Sequence, residues 1–126
     1  MILVDAETLP KPAGHYSHAA CAGDLIFLSG LLPSSQDGKI LAGEPFKTQV
    51  RQTFHNLDQV LLACGSDRSH LAQVRVYLSD IDDWPTFNEL YATWLGDHRP
   101  ARCVVPVATL HYGVALEIEA IAQKAG

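Results

Sequence analysis

An arginine and a glutamate fifteen positions apart, Arg102 and Glu117, each sit in a run of strand-forming residues near the end of the chain. A guanidinium offers two parallel N–H donors in a fixed fork, which suits a carboxylate. A glutamate can hold a water and take its proton. The two residues alone leave two readings open: an ion pair across neighbouring strands, or two halves of a site that grips an anion and aims a water at it. A ligand-binding arginine keeps donors free in the empty state, whereas a paired one does not. Glu119 shares a strand face with Glu117. Two close carboxylates raise the pKa of one and make an acid/base pair, unless Glu119 pairs with a basic group at an interface, which is the simpler reading.

The remaining chemistry-bearing residues exclude more than they suggest. Ser29 has no histidine placed to activate it and reads as a hydrogen-bonding residue at a strand end rather than a nucleophile. His15 and His18 are three apart and His111 is distant. Together they could bind a transition metal, but no HExxH or HxH pattern exists and no metal is expected. Cys21, Cys64 and Cys103 lack CxxC spacing and read as reduced thiols rather than a disulfide frame or zinc site. Cys103 is expected to be a buried packing thiol. The net charge is -5 with scattered Lys and Arg, which argues against nucleic acid as a partner. No run of about 18 apolar residues exists to span a membrane. The start, Met1 to Gly14, lacks the charged and apolar regions of a signal peptide, so a cytoplasmic location is expected. At 126 residues, 48% hydrophobic and 18% charged, the chain reads as a single globular domain over residues 1–126.

The elements that must position these residues follow from turn signals and periodicity. Gly23-Asp24 separates Tyr16–Ala22 from the apolar run Leu25–Gly30, which makes a hairpin. Phe46, Val50, Thr53, Phe54, Leu57, Leu61 and Cys64 recur at three and four, a helical stripe stopped by Gly65. Val74–Leu78 is a strand. Asp80 to Asp83 offers N-caps to a second helix with Pro85 in its first turn, Phe87, Leu90, Tyr91, Trp94 and Leu95 on one face, and Gly96 at its end. Arg102–Val107 and Val114–Ala122 are the last strands, and Ile2–Val4 is a further short one. The order predicts an α+β fold with two helices on one face of a mixed sheet. In the final strand Leu116, Ile118, Ala120 and Ala122 face one way, and Ala115, Glu117, Glu119 and Ile121 the other. Helices cover only one face, so a second copy of the chain is expected on the other.

Four segments in this order resemble the Rid/YjgF family: Gly14-His15-Tyr16-Ser17-His18-Ala19, Leu28-Ser29-Gly30, Arg99-Pro100-Ala101-Arg102-Cys103-Val104, and Glu117-Ile118-Glu119-Ala120-Ile121-Ala122. Phe87-Asn88-Glu89-Leu90-Tyr91 also fits, so the resemblance covers about residues 13–122. It implies a chorismate-mutase-like fold and a homotrimer with clefts between subunits. It also implies hydrolysis of enamine/imine intermediates, such as 2-aminoacrylate, 2-iminopropanoate and 2-iminobutanoate, to 2-keto acids and ammonia without a cofactor. Arg102 matches the family's carboxylate-binding arginine and Glu117 its water-positioning glutamate. Tyr16, Ser29, Gly30 and Asn88 match pocket positions, and the backbone of Cys103 could orient substrate. The family's cysteine two residues after the arginine is replaced by Val104, and Cys103, one residue early, faces the opposite way on a strand. His15, His18 and the stretch Leu110-His111-Tyr112-Gly113 also depart from the family pattern. These departures keep open a larger enamine substrate, such as a 2-aminomuconate-like compound, and a non-catalytic small-molecule-binding or interaction module on the same fold. Some relatives are described as ribonucleases or translation inhibitors, a reading that the acidic balance makes the weakest.

Overall fold

The expected hairpin forms around Gly23, whose φ of +60° is open to glycine at no steric cost. It joins β2 (Ala19–Ala22) to β3 (Leu25–Leu31), and the short β1 (Ile2–Val4) pairs antiparallel with β2. The computed structural model describes residues 1–126. β2 is shorter than expected, so Tyr16 lies in the connection before it. The helical stripe becomes α1 (Phe46–Ala63), with Val50, Phe54, Leu57, Val60 and Leu61 buried. β4 (Leu71–Leu78), α2 (Trp84–Leu95), β5 (Ala101–Pro106) and β6 (Leu116–Gln123) follow. Pro85 stands in the first turn of α2, and Gly96 ends it at φ +64°.

All strands join one six-stranded sheet in the order β1-β2-β3-β6-β4-β5, mixed because β4 and β5 run parallel. Both helices cover one face, as predicted. There Ile26, Val74, Val76, Leu116, Ile118 and Ala122 are buried under the apolar stripes of α1 and α2. Phe54 of α1 stacks on Trp94 of α2 with ring centroids 4.2 Å apart and planes 6° apart, which seats α2 on α1. The other face is uncovered in a single chain. It exposes Leu3 (67%) and Phe27 (41%), with Ile121, Tyr77 and Val105 along it. No helix is long and apolar enough to cross a membrane.

Buried amides tie the loops to this frame. Gln49 of α1 accepts from the Ala115 N–H at 2.9 Å and donates to the Glu44 carbonyl. Asn56 donates to the carbonyls of Leu32 and Ser34 at 3.0 and 2.9 Å. Buried polar groups persist where they are satisfied in this way. These two hold the start of β6 and the exit from β3, the segments that flank the cavity described next.

Candidate functional site

Residues of β3 and β6 build one half of the site. Leu28 pairs with Ala120 and Leu31 with Ile118, so Ser29 and Gly30 stand against one residue of β6 and form a bulge. The bulge lets the Glu117 carboxylate lie over Gly30: a Cβ built there would meet Glu117 Oε2 at 2.0 Å. Ser29 Oγ donates to the Ser17 carbonyl at 2.6 Å, and the Ser29 N–H to the His18 carbonyl at 3.0 Å. The hydroxyl proton is therefore occupied, as suits a hydrogen-bonding rather than nucleophilic serine. His18 is buried, its Nδ1 accepting from the Ala6 N–H at 3.0 Å, so it serves the frame.

These groups line a cavity of about 700 Å³ whose wall includes Tyr16, Ser29, Gly30, His111, Tyr112 and Glu117. Glu117 is half-buried and accepts no hydrogen bond from the chain. Burial pushes its carboxyl up, the charge of Glu119 adds to the rise, and His111 opposes it. Glu119 differs from it. It accepts from the Tyr77 hydroxyl at 2.5 Å and lies 3.7 Å from Arg75 Nη1. Glu119 was expected to meet a basic group at an interface between subunits; the one it meets here is Arg75 of its own chain, and Glu117 is the unengaged carboxylate.

The close approach at Gly30 makes a prediction. Gly30→Ala should fold, because the atom in its way is the end of a flexible side chain, but it displaces the carboxylate. A shift of about 1 Å in a reacting group can cost about 100-fold, so kcat/KM should fall by tenfold or more with an unchanged far-UV circular dichroism spectrum. Full activity in the alanine variant would show that the position of Glu117 is not used.

Arg102 occupies the sheet edge. Its Nη1 donates to Asn88 Oδ1 of α2 at 2.9 Å, and its guanidinium lies 4.8 Å from the centre of the Tyr91 ring. It makes no ion pair and no further hydrogen bond, so the rest of its donor fork stays available. Asn88 thus orients the arginine. Tyr91 is 7% exposed, its hydroxyl has no partner, and burial pushes the phenol up to about 12. An unsatisfied buried hydroxyl costs roughly 1–3 kcal/mol. Tyr91→Phe keeps the ring under Arg102 and should leave stability unchanged or raise it by about 1 kcal/mol in a denaturant titration. A clear loss of stability would mean that the hydroxyl is bonded in the working assembly.

The two halves do not meet within one chain, which corrects the expectation that neighbouring strands bring Arg102 to Glu117. β4 lies between β5 and β6. Arg102 pairs with Val74, which pairs with Ala120, all on the helix-covered face; Glu117 pairs with Tyr77, which pairs with Val105, on the uncovered one. Arg102, Asn88 and Cys103 are absent from the cavity wall that holds Glu117, Tyr16, Ser29 and Gly30. An Arg102–Glu117 ion pair inside one chain is ruled out by the same geometry. Cys103 is exposed on the uncovered face, not a buried packing thiol. Its side chain does point away from the face of Arg102, as strand alternation requires, so only its backbone could serve the arginine's side.

Tyr91 was not singled out as a site residue by sequence reasoning, and neither were Gln49 and Asn56, which brace the cavity's loops. Two amides seven apart on a helical stripe that is apolar apart from Thr53 were the available signal.

Known proteins resemble the chain over nearly its whole length. Residues 6–124 match the family model described as Endoribonuclease L-PSP. A RutC family protein of Pyrococcus horikoshii is 40% identical over 97% of this chain and 97% of its own length. A protein of Arabidopsis thaliana named Reactive Intermediate Deaminase A, chloroplastic, is 35% identical over 95% of this chain and 64% of its own length. The crystal structure of Escherichia coli TdcF with bound serine superposes with a TM-score of 0.91 at 29% identity, covering 99% of this chain and 100% of that one.

Proposed function

The chain belongs to the YjgF/Rid family, and on that premise we propose that it hydrolyses reactive enamine/imine intermediates of the 2-aminoacrylate/2-iminopropanoate type to 2-keto acids and ammonia. The observation that carries this reading is the pair of complementary, unengaged charges: a half-buried Glu117 without a partner in a cavity, and an Arg102 whose fork is held by Asn88 and Tyr91 but neutralised by no carboxylate. The name of the Arabidopsis relative and the serine, a small amino acid, in the E. coli protein support it.

The halves come together if the working unit is a homotrimer, with Arg102 of one subunit facing the Glu117 cavity of the next. The uncovered sheet face with Leu3, Phe27 and Val105 is apolar surface of the kind that assembly buries. In such a cleft Arg102 and Asn88 bind the substrate carboxylate, Tyr16 closes the pocket, and Ser29, Gly30 and the Cys103 backbone bound the reacting end. Glu117 holds a water against the imine carbon and takes its proton as the C–O bond forms. The proton then passes to nitrogen, the C–N bond breaks as Glu117 takes the remaining hydroxyl proton and the carbonyl forms, and that proton leaves with ammonia, so the balance is R–C(=NH2+)–COO− + H2O → R–C(=O)–COO− + NH4+. An iminium is already electrophilic, so the residues need only orient and accept a proton.

A larger, 2-aminomuconate-like enamine is the second reading, favoured by His111 and Tyr112 in the cavity wall, where the chain departs from the family pattern. A non-catalytic binding module on the same fold would use the same halves. The ribonuclease description of the family model sits poorly with a chain of net charge -5. The test is a coupled assay in which a pyridoxal-phosphate dehydratase makes the imine from serine or threonine and keto-acid release is followed. Wild-type protein should accelerate release, and sedimentation should give about three times the 13.7 kDa of one chain. Release at the uncatalysed rate would sink the enzymatic reading.

A further inference from the structure

We propose that the stacked rings of His111 and Tyr112 form a selectivity platform in the Glu117 cavity, favouring imino acids whose side chain is planar and unsaturated, aromatic ones above all. This rests on the deaminase reading and extends its substrates from small imino acids to aromatic ones.

Three observations converge on the pair. The rings lie face to face with centroids 3.8 Å apart and planes 9° apart, and both line the cavity that holds Glu117. Tyr112 is the one non-glycine residue in the chain with positive φ, at 61°. A bulky side chain in the left-handed region is strained, and such strain persists where the surroundings or the function require it. Glycine follows immediately at position 113, so a tyrosine at 112 is not what the turn itself asks for. Lastly, neither ring is needed to build the fold. Both residues are exposed, neither belongs to the hydrophobic core, and neither ring packs on a third aromatic.

The stack is also well anchored. The next residue, Val114, is buried, and the Ala115 N–H is held by Gln49. The platform therefore stands at a fixed place a few residues ahead of Glu117. A planar group laid on its open face would gain stacking that a methyl group cannot.

The experiment compares imines generated in situ from phenylalanine and from alanine by an amino-acid oxidase. Catalase is present and semicarbazide traps residual imine. Full-length wild type, His111→Ala and Tyr112→Asn are assayed, asparagine being the residue that best tolerates positive φ after glycine. The ratio of kcat/KM for the phenyl imine to that for the methyl imine should fall about five- to tenfold in each variant, through KM. Equal losses on both substrates, as a structural or interface role of the stack would give, overturn the proposal, and so does an unchanged ratio. Wild type active on the methyl imine but inactive on the phenyl imine sinks the platform alone. Activity on neither sinks the deaminase reading and the platform with it.

Discussion

Arg102→Ala is expected to lower kcat/KM for imino-acid hydrolysis about 100- to 1000-fold while the fold survives. The size follows from losing a charge-assisted, forked contact to a carboxylate, at about 1.5–3 kcal/mol for each hydrogen bond to a charged group. The fold survives because Arg102 is only partly buried on an edge strand and closes no ion pair. Its removal leaves one amide acceptor, Asn88 Oδ1, for water to satisfy. Arg102→Lys should recover little, since an ammonium cannot match both the fork and the Tyr91 face. A stronger check uses the separation of the halves. Arg102→Ala and Glu117→Gln subunits, each inactive alone, should regain activity when refolded together in equal amounts. If each site takes its arginine from one chain and its glutamate from another, about a quarter of the sites carry both native groups under random mixing. No recovery from a mixture shown to contain hybrid oligomers would mean that the two residues do not serve one site.

Why that separation was hidden in the sequence, when so much else was visible, is a matter of locality. The stripe from Phe46 to Cys64 reports a helix because a helix repeats within itself. The alternation of Leu116, Ile118, Ala120 and Ala122 reports a covered strand face for the same reason, and all four are buried. The swap of Cys103 for Val104 was legible by parity alone. Which strands lie side by side is not local. β5 and β6 are consecutive in the chain, yet β4 intervenes because β5 pairs parallel to it on one edge and β6 antiparallel on the other. Without that order, side-chain parity within each strand could not tell that Arg102 and Glu117 face opposite ways. Cys103 was misjudged for a related reason, since a cysteine in an apolar run reads as core until its strand proves to be an edge. The bulge at Ser29-Gly30 and the carboxylate lying over Gly30 likewise depend on a cross-strand register that no motif displays.

Glu117→Gln should reduce kcat/KM by about 100- to 10,000-fold, the range that general base catalysis supplies, without destabilising the protein. The two effects have one origin. The carboxyl is raised above the usual glutamate value chiefly by burial and then by Glu119. A base must be ionised to take a proton from water, so wild-type kcat/KM should fall as pH drops through that raised value, with an acid limb above the ordinary carboxylate range. Removing the neighbouring charge with Glu119→Gln, which keeps an acceptor for Tyr77, should move that limb to lower pH. For stability the sign is opposite. A carboxyl raised on folding binds its proton more tightly in the folded chain. Stability therefore declines as pH rises from the unfolded to the folded pKa, and the cost is present in full above both. Glutamine carries no such charge, so the variant should melt at the same temperature or higher at neutral pH, and its stability should lose that part of the pH dependence. An active enzyme whose acid limb stays put in Glu119→Gln would assign the titration to another group. A Glu117→Gln variant that keeps wild-type turnover would remove Glu117 from the chemistry altogether.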